Sequence, residues 1–227
     1  MITVAPASVV DTGDDPAHVP FRVDVTVSEP VIGIEQQPLY LDGPLSWCAF
    51  LDAGDVPPAR DSDEWIDDFR LPLATWVRPG TPYHPNAAAA DGGVWGWCAS
   101  RAVWTAQART AVHMRRMPNM EAMARFTSAR RFHPGLGTTK ARNTLSEAVW
   151  PGVITWYALG DPADAERLLN AHLTHIGRNT RHGNGAIATI TVSTEGVDRN
   201  AWRDRDWEDP YAAVRAPYSH PSRRQRC

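Results

Sequence analysis

The chain has 227 residues, 43% of them hydrophobic, enough for one elaborated domain with a real core. No stretch is long and apolar enough to span a membrane. The formal net charge of −3 conceals a strong segregation: residues 1–100 carry 4 arginines against 15 acids, and residues 101–142 carry 8 arginines and Lys140 against Glu121 alone. Charge parted in this way implies that a polyanion faces one surface.

The first ten residues are mildly apolar but have no basic residue ahead of them, and Asp11, Asp14 and Asp15 follow. That pattern argues against a secretory signal. Phe21 to Ser28 alternates apolar and polar residues and is the cleanest strand in the sequence. Asp42 is placed to cap a helix from about Pro44 to Ala53, with Gly54 as its stop. Leu71 to Val77 reads as a second strand, held to an edge or a strand start by Pro72. Asn86 to Gly93 reads as a flexible loop, and Val94 to Ala99 as a further strand. Arg101 to His113 fits either an alanine-rich helix or a long hairpin. Val153 to Leu159 is a core strand. Asp161 caps the last helix and Pro162 suits its first position; Ala165, Leu168, Leu169, His172 and Ile176 share one face. The β-branched run Ala186 to Ser193 is the last strand.

Between that helix and that strand lies Ile176 to Gly185 (IGRNTRHGNG), a glycine-rich loop with two arginines. Its glycines permit positive φ and close backbone approach, a combination that suits a sugar-phosphate backbone. It is not a nucleotide-binding phosphate loop: no Lys-Ser or Lys-Thr follows the final glycine, and the loop precedes a strand where phosphate loops open a helix. No cofactor is expected.

Three cysteines, Cys48, Cys98 and Cys227, lie far apart without a CxxC pair. That argues against a disulfide framework and a cysteine zinc site and favours the cytoplasm. His172 and His175 are three apart, but no carboxylate motif accompanies them, so no metal site is expected.

The glycine-rich loop with its flanking helix and strand resembles the C-terminal part of RAMP proteins, the RRM-like subunits of CRISPR effector complexes. Leu41 to Ala49 (LDGPLSWCA) is similar to the start of their first helix, Trp95 to Ser100 (WGWCAS) to an internal strand and turn, and Ile154 to Asp161 (ITWYALGD) to the strand before the last helix. Together these patches, spread over residues 20 to 195, look most like the small, Cas-five-like RAMP subunit of type IV systems, which caps the 5′ handle of the guide RNA. The resemblance implies an α+β fold: a ferredoxin-like or RRM-type βαββαβ core with a large thumb-like insertion between the second and third core strands. The halves of the core would be residues 1–77 and 151–195, the basic insertion 78–150, and an extended tail 196–227. Thumbs of this family favour the hairpin for the insertion, with a short helix near Asn119 to Phe126. Implied partners are the guide RNA, backbone-forming RAMP subunits and a large subunit at the same end of the complex.

Candidate RNA contacts are Arg101, Arg109, Arg115, Arg116, Arg130, Arg131, Lys140 and Arg142 of the basic block, and Gly177, Arg178, Asn179, Arg181, His182 and Gly183 of the loop. Phe132 and His133 could stack on bases beside Arg130 and Arg131. Trp95, Trp97 and Trp104 are candidates to stack on bases or to wedge against a neighbour. No catalytic residue is assigned. The alternative is a metal-independent endoribonuclease that processes guide-RNA precursor, with His133 and Lys140, or His172 and His175, as its acid and base. His172 lies on the apolar face of its helix, which favours a buried structural role. A third reading is a protein-interaction module that binds no nucleic acid.

Overall fold

The computed structural model describes residues 10–11, 18–54, 69–78, 94–116, 142–205, 215–216 and 218. The short helix expected at 119–126, the loop at 86–93 and the candidates Arg130, Arg131, Phe132, His133 and Lys140 lie outside them.

The fold is α+β with antiparallel sheets. Its centre is β2 (Val19–Val27), which pairs with β8 (Val153–Gly160) on one side and with β9 (Ile187–Ser193) on the other. The alternation read from sequence explains why β2 is central: Phe21, Val23 and Val25 are fully buried on one face while the residues between them are only half-covered. Ile154, Trp156 and Ala158 of β8 extend that apolar face. Helices α1 (Asp42–Asp52) and α2 (Pro162–His172) cover it and pack on each other, contributing Leu45, Cys48, Ala165, Leu168 and Leu169 to the core. Asp161 caps α2 as its sequence implies, accepting hydrogen bonds from the N–H groups of Ala163 (2.9 Å) and Asp164 (3.2 Å).

At α1 the expected cap is not formed. The helix begins at Asp42 itself, and no side chain caps it. Asp42 is instead fully buried, where it accepts from the Tyr218 hydroxyl and the Ala216 N–H and faces Arg205 at 3.9 Å. Burial pushes its carboxyl above the ordinary range, against the opposing Arg205 charge. Residues of the tail thus lock onto the start of α1. Gly54 does end the helix, at φ +75°.

The strand expected over 71–77 starts later and joins a different sheet. Thr75–Arg78 forms β4, between β1 (Val10–Asp11) and β5 (Val94–Trp97). Pro72 has no N–H to give a ladder; its carbonyl accepts from the Asp161 N–H at 3.0 Å, and the chain crosses over Gly160, where a Cβ would lie 2.2 Å from that carbonyl. The place beside β8 is taken by residues 99–103, through bridges Ala99↔Ala158 and Val103↔Thr155.

A third sheet joins β3 (Val31–Ile32), β7 (Arg142–Trp150) and β6 (Ala108–Arg116) in that order. The segment that could have been an alanine-rich helix is therefore the first arm of a hairpin, paired from Ala108↔Trp150 to Arg116↔Arg142. Its base is buried at Ala148 and Val149, while Leu145 is 59% exposed, so the ribbon projects from the body. Among the described residues no helix is long and apolar enough to cross a membrane.

Candidate nucleic-acid interface

The hairpin and the glycine-rich loop are brought together by backbone pairing through β3. The loop closes on itself with Ile176 N–H to Gly185 C=O (2.9 Å) and a bridge His175↔Ala186. It then docks on β3: Arg178 N–H donates to Ile32 C=O (2.8 Å) and Gly185 N–H to Pro30 C=O (2.9 Å). Because β3 also pairs with β7, loop, β3, β7 and β6 stand side by side.

Two glycines make that docking possible. A Cβ on Gly177 would meet Val31 Cγ1 at 2.6 Å and Ile32 O at 2.7 Å, and one on Gly185 would sit 1.9 Å from Ile176 O. Gly183 differs: its φ is +86°, yet nothing lies within 4 Å of its missing Cβ. The loop interior is held by Asn184, which is buried and donates through Nδ2 to the carbonyl of Asn179 at 3.3 Å. Asn179 itself takes the left-handed conformation, φ 58°.

Between hairpin and loop lies a cleft of about 890 Å³. The hairpin lines it with Val112, His113, Met114, Arg115, Arg142 and Thr144, and the loop with Asn179, Arg181, His182 and Asn184. Three guanidinium groups and two imidazoles enter these walls, and none of the named lining residues is a carboxylate. Arg116 and Arg142 occupy directly opposed positions in the register, with Arg115 next to them.

Several arginines elsewhere are ion-paired. Arg22 pairs with Asp24 (2.8 Å), Arg101 with Asp204 (3.0 Å), Arg109 with Glu35 (2.7 Å) and Arg167 with Asp164 (2.8 Å) and Asp52 (3.1 Å). Among the described residues no carboxylate pairs with Arg115, Arg142 or Arg181; the Arg181 Nε–H is directed at His182 Nε2, 3.3 Å away. A family model for the CRISPR type IV associated protein Csf3 matches residues 19–224, a span that holds both walls of this cleft. The chain belongs to the Csf3 family. Membership makes it a component of type IV CRISPR machinery, which works as a multi-subunit complex. No curated protein matches the chain.

In this Csf3-family chain the candidates from sequence fall into three groups. Arg115, Arg142, Asn179, Arg181 and His182 meet in the cleft. Arg109 and Arg178 flank it and clamp the turn after β3: Arg109 holds Glu35, while Arg178 donates to Gln36 Oε1 at 2.7 Å and lays its side chain over Gly33. Both remain exposed. Arg101 lies apart, tied to Asp204 and, through its backbone, to Tyr40. Gly177 is explained by packing on β3. His113, Thr144 and Asn184 were not singled out from sequence; His113 was legible in principle, since it alternates with Arg115 along one strand. Trp97 is buried and makes an edge contact with Trp95, and the Arg215 guanidinium covers the Trp95 ring at 3.8 Å. Trp104 packs partly buried against the core. Trp97 is thus packed away, while Trp95 and Trp104 keep part of their surface exposed. His172 is half-buried and pairs with Asp52 at 3.0 Å. Among the described residues no group of three His, Cys, Asp or Glu is placed to hold a metal ion.

Proposed function

We propose that this protein is a non-catalytic RNA-binding subunit of a type IV CRISPR effector complex, with the cleft between hairpin and glycine-rich loop as its RNA site. One observation carries the reading: among the described residues no carboxylate pairs with the three cleft arginines, whereas Arg22, Arg101, Arg109 and Arg167 are each ion-paired. An anionic ligand would complete them, and the exposed loop backbone at Gly183 suits a sugar-phosphate chain.

The finer placement follows the family resemblance. The order β9-β2-β8, with isolated bridges from residues 99 and 103 to β8 and two helices on one face, supports reading a ferredoxin-like core, and the β6–β7 hairpin would be its thumb. On this reading the subunit is RAMP-like, holds the 5′ end of the guide RNA in the cytoplasm and caps a filament of backbone RAMP subunits. A projecting ribbon with Leu145 59% exposed favours contact with such a neighbour, since a two-stranded hairpin is marginal alone.

The experiment is purification of the assembled complex with wild-type chain or with Arg115, Arg142 and Arg181 all changed to Glu. Wild type should carry guide RNA with a protected 5′ end; the triple variant should lose that protection. Equal protection in both would remove the cleft from the account. His113 and His182 in the same cleft give the endoribonuclease reading its specific support, because two imidazoles beside guanidinium groups can supply acid, base and charge stabilisation. Metal-free cleavage of precursor RNA, abolished by H113A or H182A, would establish that reading instead.

A further inference from the structure

One polar group in the loop wall of the cleft is not accounted for by phosphate binding. Asn184 lines the cleft yet is only 7% exposed. Its Nδ2 donates to the Asn179 carbonyl at 3.3 Å. A carbonyl only accepts, so the amide must turn its nitrogen to Asn179, which leaves Oδ1 on the other arm of the fork. Among the described residues nothing donates to that oxygen. Buried amide oxygens normally have a donor, so one without a donor in a cleft wall points to a ligand that donates. Around it stand Arg115, Arg142 and Arg181, whose guanidinium groups do not accept.

We infer that Asn184 selects RNA over DNA in this cleft, by accepting a hydrogen bond at Oδ1 from a ribose 2′-hydroxyl. The inference rests on the RNA reading of the cleft and adds to it how the sugar is recognised. Phosphate oxygens only accept, so they suit the arginines and not Oδ1. A deoxyribose-phosphate backbone has no donor, while a ribose backbone has one at every nucleotide, the 2′-hydroxyl. That hydroxyl lies close to a backbone phosphate, and Asn184 shares the loop wall with Arg181. Base edges also carry donors, but their positions change from base to base, whereas the backbone donor recurs in any sequence. The loop holds the amide in place beforehand: Gly183 N–H donates to Thr180 C=O at 2.9 Å, and the Asn179 carbonyl holds Nδ2. Little freedom is then lost when the sugar binds.

The test uses the full chain and oligouridylates carrying a single 2′-fluorouridine at successive positions. Fluorine keeps the ribose pucker but leaves the sugar no hydrogen to donate. Wild type should bind about 2- to 12-fold more weakly, the loss of one hydrogen bond, when the label is at one or two positions, with an unchanged salt slope. A 2′-deoxy sugar at those positions should cost at least as much. N184A should bind fluorinated and unmodified strands equally. N184D keeps an acceptor and makes it charged; it should bind more weakly overall but retain the penalty at the same positions, and it decides the matter if N184A does not fold. A flat wild-type profile, a penalty that survives N184A, or one that is lost in N184D would overturn the inference. So would a preference between oligouridylate and oligocytidylate with no sugar position sensitive, which would give Oδ1 to a base edge. If the profile is flat while R115A and R142A flatten the salt slope, the cleft stands without the sugar contact. A penalty that depends on Asn184 while those variants leave the slope unchanged would keep the sugar contact and remove the phosphate reading.

Discussion

Changing Arg115, Arg142 and Arg181 together to Ala should flatten the salt dependence of RNA binding by a calculable amount. Each is exposed in the cleft and, among the described residues, has no carboxylate partner. On single-stranded RNA each phosphate contact contributes about 0.7 to the slope of log affinity against log salt, so three lost contacts remove about 2. Between about 50 and 200 mM salt each contact then accounts for roughly a 2.6-fold loss of affinity, and three for roughly 20-fold. Wild type should thus lose about 20-fold more affinity over that range than the triple variant. Arg101→Ala is the control, because Arg101 is paired with Asp204 away from the cleft, and its slope should match wild type. The assay is anisotropy of a labelled single-stranded RNA titrated with the protein at several salt concentrations. Equal slopes for wild type and triple variant, or a flattening by R101A as large as that of one cleft arginine, would refute the reasoning.

Three further outcomes follow from the fold. Gly185→Ala should cost about 1–3 kcal/mol from strain at φ +68°, and more from the clash with Ile176 O, whereas Gly183→Ala, with open space around it, should cost about 1 kcal/mol; thermal melts of both variants check the difference. Arg205→Met should destabilise by about 3–5 kcal/mol, because it leaves the buried Asp42 without its cation and ends the donation to Ala99 C=O; denaturant unfolding within 1 kcal/mol of wild type would contradict that. Asp52 is held down to about 2, chiefly by Arg167 and then by His172. Its folded value lies below the unfolded value of about 3.9, so its stabilisation is present above pH ~4 and fades as pH falls towards 2. The melting-temperature advantage of wild type over D52N should shrink in that window, and a constant difference down to pH 2 would count against the pairing.

Where local pattern and burial agree, the sequence was readable. Strand β2 announces itself by strict alternation, and α2 by Asp161, Pro162 and its apolar stripe. Asp42 misleads because Asp-Gly-Pro before an apolar run looks like a cap, while its actual partners, Ala216 and Tyr218, lie at the other end of the chain. The helix-prone alanines around Arg101 to His113 are overridden by pairing with residues 142–150, a contact that no local window contains. Loop and basic block were both legible as candidates. Their meeting was not, since it depends on the two-residue strand Val31–Ile32 bridging them. Nor could composition separate Arg101, paired with Asp204, from Arg115 and Arg142, which have no carboxylate partner among the described residues.

Photocrosslinking of the RNA-loaded type IV complex, followed by peptide mapping on this subunit, tests the central claim most directly. The account predicts nucleotide adducts on peptides from the two hairpin arms, 108–116 and 142–150, and from the loop, 176–185. Adducts confined to other surfaces, with hairpin and loop peptides recovered unmodified, would contradict it.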